Sequence, residues 1–203
     1  MRRVAMPRLE QRIPEPFTIE DIRKLLAACD RRTPRGARDY ALVLVALDSG
    51  LRLAELASLK VGDIDMHTGV VSVIGKGRKQ RQAVVGAKAR AALLKMQALC
   101  GSNPGEGLWP AFNWRGERTG YLTRHGVQLA FVRLGRKAGV APCGPHRFRR
   151  TFALWSLRHG MDLHSLRLLM GHSDLTVLTR YLKLAGEDLQ RAHKQHSPVD
   201  RLL

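Results

Sequence analysis

The segment GHSDLTVLTRY occupies residues 171–181 and restricts the fold and chemistry of this chain more than any other stretch. It places His172 upstream of Tyr181, and Ser173 is a good N-cap for a helix that would carry the tyrosine. A tyrosine hydroxyl becomes a nucleophile when cations or a proton acceptor stabilise its phenolate form. If this segment is reactive, the rest of the chain must bring cations and acceptors to it.

The segment GPHRFRR, residues 144–150, supplies both kinds of group. His146 and Arg149 have i, i+3 spacing, so they share one face of a helix that begins at Pro145. Histidine can donate or accept a proton near neutral pH, and the arginine fork donates two parallel hydrogen bonds to a phosphate. Together these groups indicate stabilisation of negative charge at a phosphodiester.

Two upstream segments add further cations. The segment SGLRLAEL, residues 49–56, places Arg52 just past the end of an apolar helix. The segment VIGKGRK, residues 73–79, places Lys76 between two glycines at the tip of a predicted hairpin. The ammonium of Lys76 could protonate a departing oxygen, or the basic tip could hold DNA by charge alone.

The charge of the chain points to a polyanionic partner. Among 203 residues, 35 Lys and Arg stand against 17 Asp and Glu, which gives a formal net charge of +18. This excess indicates a polyanion as the partner, with nucleic acid as the first candidate. A membrane surface is not expected, because the basic residues are spread among core-forming segments instead of lying along one amphipathic helix.

Three widely spaced cysteines predict neither a disulfide framework nor a zinc site, which fits a reducing cytoplasm. The N-terminus has no apolar run of the kind found in signal peptides, and no stretch reaches the length that spans a membrane. We expect a cytoplasmic protein associated with the nucleoid.

The hydrophobic pattern predicts a mainly α fold with a small antiparallel β-sheet. Residues 1–16 are predicted to form a basic arm or linker remnant, and residues 17–203 one folded domain. Thr18 and Asp21 form a capping box for the first helix. Further helices are predicted at 38–49, 87–100 and 123–137, a hairpin at 64–85, a loop at 101–122, and several short helices between 145 and 194.

Taken together, the four segments resemble the catalytic domain of the tyrosine recombinase (phage integrase) family. That family presents Arg, Lys, His-x-x-Arg, His or Trp, and Tyr in this chain order. The resemblance extends from about Pro14 to the C-terminus, and it implies the DNA breaking-rejoining enzyme fold, close to Xer-like or single-domain invertase-like members.

The resemblance implies a role for each matched residue. Tyr181 would attack the scissile phosphate to form a 3′-phosphotyrosyl link, while Arg52 and Arg149 clamp the phosphate. Lys76 would protonate the leaving 5′-oxygen, His146 and His172 would assist proton transfer, and Glu55 would orient its neighbours. Neither ATP nor a metal is expected, since the sequence lacks a phosphate-binding P-loop and a metal cluster. The basic residues expected to contact DNA are Arg78, Lys79, Arg81, Arg147 and Arg150.

The chain departs from the family in two respects. Arg150 stands where many relatives have histidine, and we expect the chain to lack the N-terminal core-binding domain that most members carry. The chain is therefore expected to be either a fragment or a short single-domain member. The resemblance also implies that the C-terminal tail from Glu187 packs on a neighbouring protomer in a homotetramer on DNA.

Three other functions remain compatible with parts of the sequence. A type IB topoisomerase would use related residues to relax DNA, and a DNA-binding fragment would be inactive without its N-terminal domain. A ribonuclease or RNA-binding protein is less favoured, because aromatic residues make up only 5% and no stacking motif is present. The sequence does not specify the target site or the outcome of recombination.

Overall fold

The computed structural model describes residues 15–74 and 80–171, together with Ser197 and Val199. The helices in this part of the chain are α1 (Ile19–Ala27), α2 (Pro34–Ser49), α3 (Leu53–Ser58), α4 (Ala87–Cys100), α5 (Arg124–Ala138), α6 (Pro145–Arg158) and α7 (Leu163–Met170), with a short 3-10 helix at Val61–Asp63. The strands are β1 (Val70–Ile74), β2 (Gln80–Val84), β3 (Pro110–Phe112) and β4 (Arg118–Tyr121). The fold is mainly helical with small antiparallel sheets, as the sequence predicts.

Helix α2 runs through the centre of the core. Ala41, Val43 and Val45 are fully buried on different sides of it, and α2 packs against α1, α4, α5 and α6. Helix α2 is central because it carries apolar side chains on all sides, and such a helix is stable only when other elements shield every side from water. Thr33 caps α2, and Gly50 ends it with φ of 57°. The helix starts earlier than predicted because Thr33 and Pro34 provide a strong start signal.

The first hairpin, β1–β2, pairs Val70 with Val84 and Ile74 with Gln80. It lies within the predicted span, and the two strands are antiparallel as expected. Residues 75–79, which would form its tip, lie outside the described residues. Helix α7 packs against β2, so this hairpin borders the C-terminal part of the described chain.

The second hairpin, β3–β4, lies in the stretch predicted to be a loop, and that prediction is wrong. Its strands are short, contain Pro110 and Gly120, and shift register between Ala111 and Phe112. Tertiary contacts hold this region: the buried indole of Trp109 donates a hydrogen bond of 2.6 Å to the carbonyl of Leu56. Strands of this length carry little periodicity, so the sequence pattern cannot indicate them.

Several local predictions are confirmed. Thr18 and Asp21 form the capping box of α1, and α4 spans the predicted residues 87–100. Thr123 caps α5. These features depend on hydrogen bonds between near neighbours in the chain, so short-range sequence signals are enough to predict them.

The N-terminal end of the described chain is tied to α6. The Phe17 amide donates a hydrogen bond of 2.8 Å to Thr151 Oγ1, and the Phe17 ring lies 4.7 Å from the Phe148 ring. Phe17 is 1% exposed, so the core already includes this residue. Of the predicted basic arm, residues 1–14 lie outside the described residues.

Within the described ranges, no helix is both long enough and apolar enough to cross a bilayer. The same residues contain no group of three His, Cys, Asp or Glu side chains placed to hold a metal ion. Burial raises the pKa of Cys29 and of Cys143 to about 12, so neither thiol is a thiolate at neutral pH.

Candidate active site around the end of helix α7

Arg52 lies at the N-cap of α3, directly after the turn that ends α2. Its guanidinium donates hydrogen bonds to Glu55 Oε1 at 3.1 Å and to the Gly171 carbonyl at 2.8 Å. The side chain remains 42% exposed. Arg52 is therefore fixed in direction by the protein while part of its charge faces solvent.

Glu55 is the buried anion of this site, with its side chain 5% exposed. Its carboxylate accepts the Arg52 amide at 2.8 Å and two hydrogen bonds from Arg81, at 3.2 and 2.6 Å. Burial favours a higher pKa for Glu55, but the hydrogen bonds and charges of Arg81 and Arg52 outweigh it, so the pKa lies below its ordinary value. Glu55 is therefore ionised and orients both arginines. We refer to Arg52, Glu55 and Arg81 as the arginine–glutamate cluster.

Arg149 reaches the same place from α6. It is 8% exposed, and its guanidinium donates to the Gly50 carbonyl and, at 2.8 Å, to the Met170 carbonyl. Arg52 and Arg149, far apart in sequence, thus bind the consecutive carbonyls of Gly171 and Met170. The end of α7 is the point at which the two predicted phosphate-binding arginines converge.

His146 lies in the first turn of α6, one turn before Arg149, and its side chain is exposed. This agrees with the predicted helix and its i, i+3 spacing. Lys76, His172 and Tyr181, with the predicted DNA contacts Arg78 and Lys79, lie outside the described residues.

Arg147 does not have the surface position expected of a DNA contact. It donates to Asp21 at 2.9 Å and to the Glu15 carbonyl at 2.8 Å, and its guanidinium lies 4.1 Å from the centre of the Phe17 ring. The side chain is 12% exposed. Arg147 therefore fastens the N-terminal segment to α6, a role that its position in a basic motif does not indicate.

Arg81 and Arg150 also differ from the surface contacts that the sequence suggests. Arg150 is 7% exposed, and its Nε and Nη1 atoms have no hydrogen-bond partner among the described residues. Arg81, which is 13% exposed, binds Glu55 and the Leu169 carbonyl. Both side chains point inward because β2 and α6 turn those positions toward the protein.

Sequence reasoning missed the contributions of Arg81 and Gly171 to the site. Arg81 shares one face of β2 with the buried Ala83, and this period-two relation is the signal that could have revealed it. Gly171 caps α7 with φ of 61°, and a Cβ there would lie 2.6 Å from Arg81 Cδ. A glycine is therefore required before His172 for two reasons: the positive φ of the helix cap, and the lack of space for a Cβ beside Arg81.

Known proteins resemble this chain over most of its length. The profile of the phage integrase family matches residues 16–187. Tyrosine recombinase XerD of Pseudomonas putida is 35% identical over 201 residues, covering 96% of this chain and 66% of that protein. The chain therefore spans slightly less than two thirds of that relative's length.

Solved structures share the fold. The crystal structure of XerA recombinase superposes with a TM-score of 0.70 at 25% identity, covering 96% of this chain and 67% of that one. The XerH site-specific recombinase, solved with a palindromic difH substrate in a post-cleavage complex, superposes with a TM-score of 0.66 at 24% identity, covering 93% of this chain and 54% of that one.

Proposed function

The chain belongs to the phage integrase family and has the fold of a tyrosine recombinase catalytic domain, and on this basis we propose that it is a tyrosine-type site-specific DNA recombinase. The observation that carries the proposal is the convergence of Arg52 and Arg149 on the carbonyls of Gly171 and Met170, immediately before His172. In the proposed assignment, residues 17–203 form the catalytic domain.

The two arginines hold the scissile phosphate. The nonbridging oxygens of a phosphodiester gain negative charge as phosphorus becomes five-coordinate, and fixed guanidinium groups stabilise that charge without reorganising. Arg52 is held by Glu55, and Arg149 by Gly50 and Met170, so neither has to be ordered when DNA binds. Preorganisation of this kind lowers the barrier to cleavage more than a mobile surface charge would.

Tyr181 supplies the nucleophile. Its hydroxyl gives its proton to one of the histidines His146 and His172 and its oxygen forms a bond to phosphorus. The bond from phosphorus to the 5′-oxygen breaks, and Lys76 gives a proton to that oxygen. His146 and His172 assist proton transfer and donate hydrogen bonds to the phosphate. The products are a 3′-phosphotyrosyl link and a free 5′-hydroxyl. The 5′-hydroxyl of a partner strand then attacks the phosphotyrosyl link and reseals the DNA, without ATP or a metal.

Double-stranded DNA is the substrate and main partner. The net charge of +18 favours a polyanion, and its binding should weaken steeply with salt because phosphate contacts release counterions. Four protomers assemble on DNA through the C-terminal tail. The protein acts in the cytoplasm, where it reaches the nucleoid.

The test uses a nicked duplex that traps the covalent intermediate, with a candidate crossover site taken from DNA flanking the gene. We expect a denaturant-stable adduct with the unaltered chain and with Tyr121→Phe, whose ring lies outside the site, and none with Tyr181→Phe at similar DNA affinity. An adduct that persists in Tyr181→Phe would reject this nucleophile. Salt-sensitive binding without any adduct would instead identify a DNA-binding fragment that needs a further domain.

A second assay separates recombination from relaxation. Transfer of the cleaved strand to a second duplex supports a recombinase. Relaxation of supercoiled plasmid with resealing of the same strand, and no transfer, would make the protein a type IB topoisomerase.

A further inference from the structure

Arg81 connects three parts of the site that are distant in sequence. From β2 it donates to both carboxylate oxygens of Glu55, at 3.2 Å from Nε and 2.6 Å from Nη2. Its remaining nitrogen, Nη1, donates to the carbonyl of Leu169 in α7. One guanidinium thus joins the first hairpin, helix α3 and the end of α7.

The contact with α7 is close as well as polar. The backbone of Gly171 passes so near Arg81 that an added Cβ would lie 2.6 Å from Cδ and 2.7 Å from Nε. The Gly171 carbonyl in turn accepts a hydrogen bond from Arg52. The position of Arg81 therefore affects Arg52 by two routes, through Glu55 and through the end of α7.

Charge explains why Glu55 needs two arginines. With Arg52 as its only cation, the buried carboxylate would draw that guanidinium into a paired geometry to satisfy both oxygens. Arg81 occupies that paired position instead, and the Arg52 guanidinium keeps a single bond to Glu55, a second to the Gly171 carbonyl, and an exposed face. The cluster carries two positive charges and one negative charge, which leaves a net positive charge for a phosphate.

We propose that Arg81 is a positioning residue, which neutralises Glu55 and anchors the end of α7 so that Arg52 stays directed at the phosphate. This proposal rests on the proposed recombinase function for its phosphate. The contacts of Arg81 that position Arg52 involve only Glu55 and the end of α7 at Gly171, and their effect on Arg52 can be measured without DNA. A lysine can replace Arg81 only in part, because one ammonium cannot bind both carboxylate oxygens and a carbonyl in the fixed planar arrangement of a guanidinium.

The first experiment follows the Arg52 amide, which donates to Glu55 Oε2 at 2.8 Å, by NMR-detected hydrogen exchange on the free protein. Arg81→Gln should accelerate exchange of this amide roughly 10-fold or more, the factor for weakening one charge-assisted hydrogen bond. Amides of α4, such as that of Leu93 in the core, should exchange at the unaltered rate. Equal exchange of the Arg52 amide in both proteins would overturn the proposal.

Arg118→Gln is the matched control. Arg118 also lies on a hairpin strand, binds a glutamate, Glu106, at 3.1 Å, and donates to main-chain carbonyls, of Cys100 and Gly101. Loss of Arg118 should leave the Arg52 amide unaffected. Acceleration of equal size in this control would show a general loosening of the protein, and would also overturn the proposal.

The second experiment measures single-turnover formation of the covalent adduct at saturating DNA. Arg81→Gln should slow cleavage roughly 10-fold or more with DNA affinity within about twofold, because a positioning defect acts on the reacting state. Arg81→Lys should recover only part of the rate, and Arg118→Gln should cleave normally. Since Arg81 acts through Glu55, the double variant with Glu55→Gln should be no slower than the slower single variant.

The two experiments separate the two proposals. If the unaltered chain forms no adduct, the recombinase proposal fails, while the exchange of the Arg52 amide still decides the role of Arg81. If the adduct forms and Arg81→Gln cleaves at the unaltered rate, only the positioning proposal is overturned. A weakened affinity at an unchanged saturating rate would make Arg81 a DNA contact instead.

Discussion

Each of the two hairpins carries an arginine that binds a glutamate from outside the hairpin, and the two pairs have different surroundings. On β2, Arg81 binds Glu55, and the side chains are 13% and 5% exposed. On β4, Arg118 binds Glu106, and the side chains are 32% and 34% exposed. Exposed pairs typically contribute about 0–1 kcal/mol because water and salt screen them. The comparison teaches that burial, and not residue type, turns an arginine–glutamate pair into a part that fixes geometry.

Removal of Arg149, which also binds the end of α7, should give the largest difference in cleavage rate between the candidate site and the second hairpin. Arg149→Ala is expected to raise the cleavage barrier by about 3 kcal/mol, more than 100-fold in rate, through loss of preorganised positive charge. Arg118→Ala, in strand β4 of the second hairpin, should leave the rate unchanged. The measurement is single-turnover cleavage of a nicked duplex. An unaltered rate in Arg149→Ala would show that Arg149 has a structural role and does not stabilise the reacting phosphate.

Neutralising the two glutamates gives the next largest effect. Glu55→Gln should slow cleavage roughly 10- to 100-fold, because Arg52 and Arg81 lose their shared charged acceptor. Glu106→Gln should cleave normally, since that carboxylate is outside the site. Adduct formation at saturating DNA measures both variants, and equal rates for the two would erase the distinction between the hairpins.

Two glycines with positive φ make the comparison sharper. In Gly171→Ala, the alanine would be strained at φ of 61° and its Cβ would clash with Arg81. This variant should destabilise the fold by about 3 kcal/mol. Gly116→Ala, between β3 and β4, has φ of 87° but open space, and should cost only about 1–2 kcal/mol. Urea unfolding midpoints measure both. A larger loss of stability in Gly116→Ala than in Gly171→Ala would show that the Arg81 side chain moves aside at little energetic cost.

The smallest effect concerns pH. The pKa of Glu55 is lowered from its ordinary value of 4.5, so its contribution to stability is present above that value and is lost as the pH falls toward the folded-state pKa. The stability difference between the unaltered chain and Glu55→Gln should therefore shrink on acidification below about pH 4.5. Urea midpoints measured from pH 7 to pH 3 test this, and a constant difference would mean that the pKa of Glu55 is the same in the folded and the unfolded chain.

The sequence predicted those parts of the fold that depend on near neighbours. The capping box of Thr18 and Asp21, the span of α4 and the end of α2 at Gly50 follow from hydrogen bonds and hydrophobic periods within a few turns. The β3–β4 hairpin could not be predicted in this way, because short strands with a proline and a glycine depend on distant contacts such as the hydrogen bond from Trp109 to the Leu56 carbonyl.

The candidate site shows the same division. By itself, the sequence determined the residue types and order of the motifs, the positive charge, and the placement of His146 and Arg149 on one helix. Only the tertiary structure decided that Arg52 meets Gly171 across 119 positions, that Arg81 meets Leu169 across 88, and that Arg147 turns inward to the N-terminal segment. The physical reason is that local patterns fix each element's own hydrogen bonds and buried face, whereas the partners of a buried charge are set by how those elements pack.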